Sequence, residues 1–297
     1  MRLRADLSLF LVALLWGGAF VAQRLAGQVG SVYFFNAARF ALAFFLLLPL
    51  LRKRPIKPTA FPWIGLAGSI LFLATAFQQA GLKTTTVANA GFITSLYVIF
   101  VPLILFLFWK EKPSLLVLVS LVLAFGGAYL LSTGGYFRVR RGDVLELIGA
   151  FFWAFHVILL GKVASRYDSL VFSIGQLLVS AVLNLLGGLL WESWTVPQIL
   201  PWLGAVTYTA VFSLAMGYTL QILAQRHTPP SDAALILCLE SVFAALAGWI
   251  FLGEALNPLQ SFGALLIFCA VLLSQSSAFR VSLHSLRHLS DTHLADE

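Results

Sequence analysis

The sequence predicts an all-α membrane protein of ten transmembrane helices, built as two inverted five-helix repeats. Three observations predict it. The 297 residues are 60% hydrophobic and only 10% charged, whereas a soluble domain is about half apolar and about a quarter charged. The apolar residues fall into ten runs of spanning length. The second half of the chain repeats the first. The charge deficit decides the class, because a lipid-facing surface needs no charge to cover it. A mean hydropathy of +0.93 agrees.

The runs cover residues 7–25, 33–51, 62–81, 86–109, 114–133, 143–162, 169–191, 200–222, 232–252 and 258–275. Helix-breaking residues separate them: Pro55 and Pro58, Pro113, Gly134-Gly135, Pro229-Pro230 and Pro258. Chain in hydrocarbon must satisfy its own backbone hydrogen bonds, and short alternating segments of the β-barrel kind are absent, so the runs are helices. Leu7 to Ala22 lacks a small-residue cleavage pattern and leads straight into further apolar runs, so it reads as a retained first span. Cys238 and Cys269 both sit in apolar runs and are expected to be free thiols.

The repeat shows in residue offsets. Trp16 in ALLWGGAFV matches Trp153 in GAFFWAFHV at 153 − 16 = 137, and Arg39 matches Gln176 at the same offset. Trp63 matches Trp202 at 139. Gln78 and Gln221, Lys83 and Arg226, Phe100 and Phe243, and Glu111 and Glu254 all match at 143. Such drift is what small loop insertions produce after a duplication. The first repeat covers 7–133 and the second 143–275, with a polar tail over 276–297. Each half holds five spans, and an odd number forces the second half to enter from the opposite face.

The net charge of +7 sits in short loops, which is a topology signal and not one for nucleic acid. With the N-terminus inside, inner segments carry 13 Lys and Arg and outer ones 5, with Arg39 left within a span. Both termini are therefore expected inside. Arg138, Arg140 and Arg141 oppose that orientation. In the tail, His284, His288 and His293 read as a solvated segment, with metal binding as the alternative.

Few ionisable residues lie at membrane depth, where they are costly and mark function or a fixed partner. Glu240 is mid-span in the ninth run, and its mate at offset 143 is Tyr97. Glu240 either binds a cationic group or carries a coupling proton, or else hydrogen-bonds a neighbouring helix. Arg39, with Asn36 one turn earlier, is read as a structural pair, with substrate contact by Arg39 as the alternative. His156 shares a face with Trp153, and either lines a pore or bonds a neighbouring helix. Trp16 and Trp153 are mates away from the interfaces, which favours a cavity wall. Trp63, Trp191, Trp194 and Trp202 are assigned to the interfacial belt. Gln78, Asn89 and Gln221 are cavity or vestibule candidates, with the capping of helix ends as the commoner use of Gln78 and Gln221. The remaining acids are read as lying near span ends, in loops or in the tails. The Gly pairs Gly17-Gly18, Gly126-Gly127 and Gly187-Gly188 are expected at close helix contacts, and Pro102 at a kink beside Tyr97. No P-loop, H-E-x-x-H, paired Asp-rich or GxSxG motif occurs, which argues against an ATP-driven pump or an enzyme, and no cofactor or metal is implied.

The segments ALLWGGAFV, NAARFALAF, ANAGFITSLYVIFVPLILFLFWKEKPS and AALILCLESVFAALAGWIFLGEALNPLQSFGALLIF resemble the EamA-type transporters of the drug/metabolite transporter superfamily, over nearly Leu7 to Gln275. Ser241 stands where that family usually has proline, and Lys110-Glu111 replaces its Gly-Glu. The resemblance implies a central cavity, both termini in the cytoplasm and a place in the bacterial inner membrane. It implies a secondary transporter, often an exporter, of a small metabolite such as an amino acid or amine. Alternating access would occur around Trp16, Tyr97, Trp153, His156 and Glu240, with the lipid bilayer as surroundings and a proton as coupling partner. A lipid-carrier or multidrug exporter, or a non-transporting scaffold or enzyme, is the alternative. Substrate, direction and oligomeric state are left open.

Overall fold

The computed structural model describes residues 1–52, 54–134, 140–193 and 199–274. Arg138, Trp194 and the tail histidines lie outside them. Helices account for all regular structure among the described residues. They are α1 (Arg2–Val29), α2 (Tyr33–Leu47, prolonged by a 3-10 turn over Leu48–Leu51), α3 (Phe61–Leu82), α4 (Val87–Ser95), α5 (Tyr97–Trp109), α6 (Leu115–Thr133), α7 (Arg141–Val163), α8 (Ser169–Trp191), α9 (Ile199–Tyr208), α10 (Gly217–Ala224), α11 (Pro230–Leu237) and α12 (Glu240–Leu252). A last helix, α13, runs over Pro258–Ser274. Nine helical stretches among the described residues are long and apolar enough to cross a membrane, and α13 makes a shorter tenth.

Local chemistry sets the boundaries. The hydroxyls of Thr86 and Ser114 and the carboxylate of Asp168 cap α4, α6 and α8 by accepting from backbone N–H groups. Gly134 and Gly253 end α6 and α12 in the left-handed region, at φ 55° and 67°. Lys110, the repeat-mate of Gly253, ends α5 in that region too, at φ 59°, although it carries a Cβ. The first helix starts at Arg2, ahead of its apolar run. Its first turn is charged, and the Arg2–Asp6 pair at 3.0 Å supports it.

The fourth and ninth spans are each broken in the middle. The break after Ser95 lies directly before Tyr97, and the break after Leu237 directly before Glu240. Leu96 and Leu239, the residues preceding α5 and α12, are mates at 239 − 96 = 143. Pro102 sits within α5, six residues past its break, and the ninth span breaks without any proline. The expected Pro102 kink is therefore not the cause. At the second break, the Cys238 carbonyl accepts from both the backbone N–H of Ser241 at 3.1 Å and its Oγ at 2.8 Å. Between α9 and α10 the eighth span widens to a π-helix over Thr209–Met216.

The packing is reciprocal. Helix α1 packs against α9, α10, α11 and α12, while α7 packs against α3, α4 and α5. Helices α2 and α8 pack against each other, α3 packs on α8, and α2 packs on the π-helix. Each pairing has its counterpart when the halves are exchanged. Close crossings use glycine: a Cβ on Gly127 would lie 2.6 Å from the Gly263 carbonyl, and one on Gly81 2.8 Å from the Gly142 carbonyl. Gly17 approaches Phe243, Gly18 Tyr208, and Gly187 and Gly188 the rings of Tyr33 and Phe34, but Gly126 faces open space.

Two expectations need correcting. Trp202 is buried at 4% exposure, with its ring 6.1 Å from Phe35, and does not belong to an interfacial belt. Glu146, read as a span-end acid, is fully buried in α7. By contrast Trp191 is exposed, and its ring lies 5.5 Å from Tyr33. Both thiols are free, with Cys238 buried and Cys269 exposed.

Candidate functional site

Both breaks face a small cavity of about 30 Å³ at the centre of the bundle. That volume has room for one or two waters, so the centre is closed to anything larger. Its wall draws on both halves: Trp16, Arg39, Gln78 and Tyr97 from the first, and Trp153, Tyr218 and Glu240 from the second.

The aromatic side is a cluster of three rings. Trp16 lies 5.3 Å from Tyr218 and 6.0 Å from Trp153, and Trp153 stacks on Tyr218 at 6.2 Å. Trp16 Nε1 donates to the Ser213 carbonyl of the π-helix at 2.9 Å. Gly217 makes room for this ring, since a Cβ there would lie 2.6 Å from Trp16 Nε1. His156 is fully buried and is not among the cavity-lining residues. It stands behind the wall, edge-on to Trp153 and Tyr218 at 5.9 and 5.5 Å, with Nε2 3.0 Å from Gln176 Oε1. The structure thus realises the helix-bonded alternative for His156, and the bond joins it to the repeat-mate of Arg39.

The charged side of the wall carries one cation, Arg39, and one carboxylate, Glu240. Arg39 is buried, and its Nε donates to Asn36 Oδ1 at 2.9 Å. Asn36 in turn donates to the Thr75 carbonyl at 3.2 Å. This is the expected structural network, but Arg39 also lines the cavity, and its Nη2 has no hydrogen-bond partner. Tyr97 and Glu240 are buried on the same wall, and their side chains interact with each other. Burying a polar group unpaired costs about 1–3 kcal/mol, and more when charged, so the free end of Arg39 on the cavity marks a place built for polar contact. Arg39 and Glu240 each interact electrostatically with Tyr218, and Glu240 also with Tyr97.

Gln78 lines the cavity and donates to Thr94 Oγ1 at 3.4 Å. Its mate Gln221 is fully buried, with neither end of its amide bonded, and stands off the cavity wall. Asn89 lies in a separate, larger vestibule of about 640 Å³, lined also by Ser132, Arg140, Asp143, Glu254 and Gln260. There Asn89 Nδ2 donates to Asp143 Oδ1 at 2.8 Å and Thr85 Oγ1 to the same oxygen at 2.6 Å. At the other end of the repeat, Thr228 Oγ1 donates to Asp6 Oδ1 at 2.9 Å. Thr85 and Thr228 are mates at 143, and Asp6 and Asp143 at 137, so one latch was duplicated with the fold. Arg2 reinforces the second copy by pairing with Asp232 at 2.7 Å.

Sequence reasoning missed Tyr218, Thr75, Thr94, Gln23 and Ser213 as wall residues. One signal was available: 218 − 75 = 143, the offset already found for Gln78 and Gln221. The others have apolar mates and carry no such mark. Among the described residues no group of three or more His, Cys, Asp or Glu could hold a metal ion.

Known proteins share this architecture. A solved crystal structure covering 95% of this chain and 99% of its own superposes with a TM-score of 0.76 at 19% identity, a likeness of fold. An uncharacterized transporter of Archaeoglobus fulgidus is 36% identical over 276 residues, 92% of this chain and 86% of its own. The threonine/homoserine exporter RhtA of Escherichia coli K12 is 26% identical over 264 residues, 84% and 83% of the two chains. An S-adenosylmethionine/S-adenosylhomocysteine transporter of Chlamydia trachomatis serovar L2 is 24% identical over 292 residues, 90% and 89% of the two chains. The EamA-like transporter family model matches residues 3–133 and again 140–275, and the chain belongs to that family.

Proposed function

We propose that the chain is a secondary transporter that exports a small solute bearing an α-amino-acid group, working by alternating access around the central cavity. The observation that carries this reading is that Arg39 and Glu240 line one cavity beside the rings of Trp16, Trp153 and Tyr218, with Arg39 Nη2 free of hydrogen bonds. A guanidinium suits a carboxylate. A carboxylate beside aromatic faces suits an ammonium. Threonine, homoserine and S-adenosylmethionine, named for two relatives, share both groups. Tyr97 supplies a hydroxyl to the same space, His156 steadies the rings from behind, and Glu240 is also placed to exchange a coupling proton.

In this reading the halves are inverted repeats over 7–133 and 143–275, both termini are cytoplasmic and the membrane is the inner one. The cavity is too small for an amino acid, so the halves must part to admit one. The two Asp–Thr latches, at Asp143–Thr85 and Asp6–Thr228, close opposite ends and open alternately. The broken helices ahead of Tyr97 and Glu240 bend as they do.

One observation favours the lipid-carrier reading. An apolar groove of about 530 Å³ lies between α2, α8 and α9, lined by Phe34, Ala38, Phe45, Val182 and Val206 among others. A thermal-stability screen of the purified protein separates the two. A solute at 100 times its Kd stabilises the native state by about 2.7 kcal/mol. Zwitterionic amino acids should raise the midpoint, whereas a shift with acyl lipids alone would favour the groove.

A further inference from the structure

Glu146 has no part in the site described above, yet it is a fully buried carboxylate in a bundle with few of them. It is seated deliberately: a Cβ on Gly81 of α3 would meet its Cγ at 2.8 Å and its Oε1 at 2.9 Å. Its Oε2 accepts from Thr94 Oγ1 at 3.0 Å, and its Oε1 has no partner. Thr94 also receives the Gln78 amide, and both Thr94 and Gln78 line the central cavity beside Glu240. One helical turn before Glu146, Asp143 lines the large vestibule. The carboxyls of Asp143, Glu146 and Glu240 thus form a stepped series from vestibule to centre, with Glu146 in electrostatic reach of both others. The charged and titratable groups around it are Asp143 on its own helix and Glu240 from α12, with Arg140 at the vestibule; α3 and α4 contribute only Gln78 and Thr94. The other half has no counterpart, since the mate at 146 − 137 = 9 is Leu9.

Resting on the transport reading, we infer that Glu146 is a proton-carrying carboxylate of the transport cycle, serving the central site from the Asp143 side only. When that side opens, the Glu146 carboxylate takes one proton from the vestibule. Thr94 accepts that proton at its oxygen and gives up its own hydroxyl proton toward the cavity, where the Glu240 carboxylate receives it. Glu240 releases it when the opposite side opens. One proton crosses in one direction as one solute crosses in the other, and no bond other than O–H is made or broken. The asymmetry of the two halves gives the cycle its direction.

The test uses the full-length protein in proteoliposomes, with radiolabelled L-threonine as probe. Equal-pH exchange of the probe should persist in Glu146→Gln, while accumulation driven by a pH gradient falls at least tenfold. Glu146→Asp should recover part of the driven accumulation. Gradient-driven accumulation at the wild-type level in Glu146→Gln overturns the inference. So does a parallel loss of exchange and accumulation in Glu146→Gln, which marks a structural role. Should wild-type protein not exchange L-threonine, the function proposed above fails on its own terms. The inference is then read from infrared difference spectra of purified protein between acid and neutral pH. Glu146→Gln should remove one protonating carboxyl band, and spectra identical to wild type overturn it.

Discussion

Replacing Gly217 with alanine tests how the aromatic wall is seated. The new Cβ would lie 2.6 Å from Trp16 Nε1, so the indole must move, and a rigid bicyclic ring moves only by leaving its rotamer. Leaving the rotamer costs about 1 kcal/mol. The hydrogen bond to the Ser213 carbonyl, now 2.9 Å, contributes about 1 kcal/mol. The Trp16–Tyr218 ring contact at 5.3 Å contributes about another 1 kcal/mol. Alanine returns about 1 kcal/mol of helix propensity over glycine. The expected net loss is about 2 kcal/mol, or about 4–8 °C in thermal midpoint at about 2–4 °C per kcal/mol. The assay is thermal unfolding of purified protein, with Gly65→Ala as control, because a Cβ at Gly65 meets nothing within 4 Å. The control should hold or gain stability. In a Trp16→Phe background Gly217→Ala should gain about 1 kcal/mol of helix propensity, giving a coupling of about 3 kcal/mol between the two sites. Additive effects, or a Gly217→Ala protein as stable as its control, would refute the reasoning.

Further outcomes follow from single features. Lys110→Gly should raise stability by about 0.5–1 kcal/mol, because Lys110 holds a left-handed φ of 59° at a position where its mate is glycine; thermal unfolding checks it. Asp168 caps α8 and pairs with Arg54 at 2.7 Å; burial pushes its carboxyl up, but the N–H bonds from Val171 and Leu170 and the Arg54 charge outweigh that and hold it below the usual range. Its stabilising effect is therefore present above the unfolded value of about 4 and lost as pH falls through the lower folded value, so Asp168→Asn should cost stability at pH 6 and much less at pH 2. A double-mutant cycle of Arg2→Ala and Asp232→Asn, read by thermal unfolding, should give a salt-sensitive coupling of about 0.5–1 kcal/mol. A lipid-soluble thiol reagent should label exposed Cys269 and spare buried Cys238 in the native protein, as mass spectrometry of each peptide would show.

The parts that the sequence revealed are those governed by one-dimensional pattern. Hydropathy marked the spans because solvent quality acts on every residue of a run, and the offset of 143 linked Tyr97 to Glu240 before any contact was known. What stayed hidden depends on helix rotation and crossing. Trp202 sits at a span end like a belt residue, but α9 turns it inward onto Phe35. Glu146 is buried because Gly81 and Gly142 let α3 and α7 close over it, a pairing no local window contains. Arg39 was read through its Asn36 network, which exists, and its free Nη2 became visible only with the facing half in place. The breaks in the fourth and ninth spans carry no shared breaker residue; Pro102 lies off the first, and the second has none.

The central claim is that Arg39 and Glu240 recognise the two charged ends of an amino-acid solute in the cavity between the halves. Counterflow of L-threonine in proteoliposomes, challenged with its decarboxylated amine and its deaminated acid, tests it most directly. The account predicts that only zwitterions compete in wild type, and that Glu240→Gln and Arg39→Gln each reduce exchange at least tenfold without loss of folded protein. Equal competition by the amine and the acid, with both variants exchanging at wild-type rates, would contradict it.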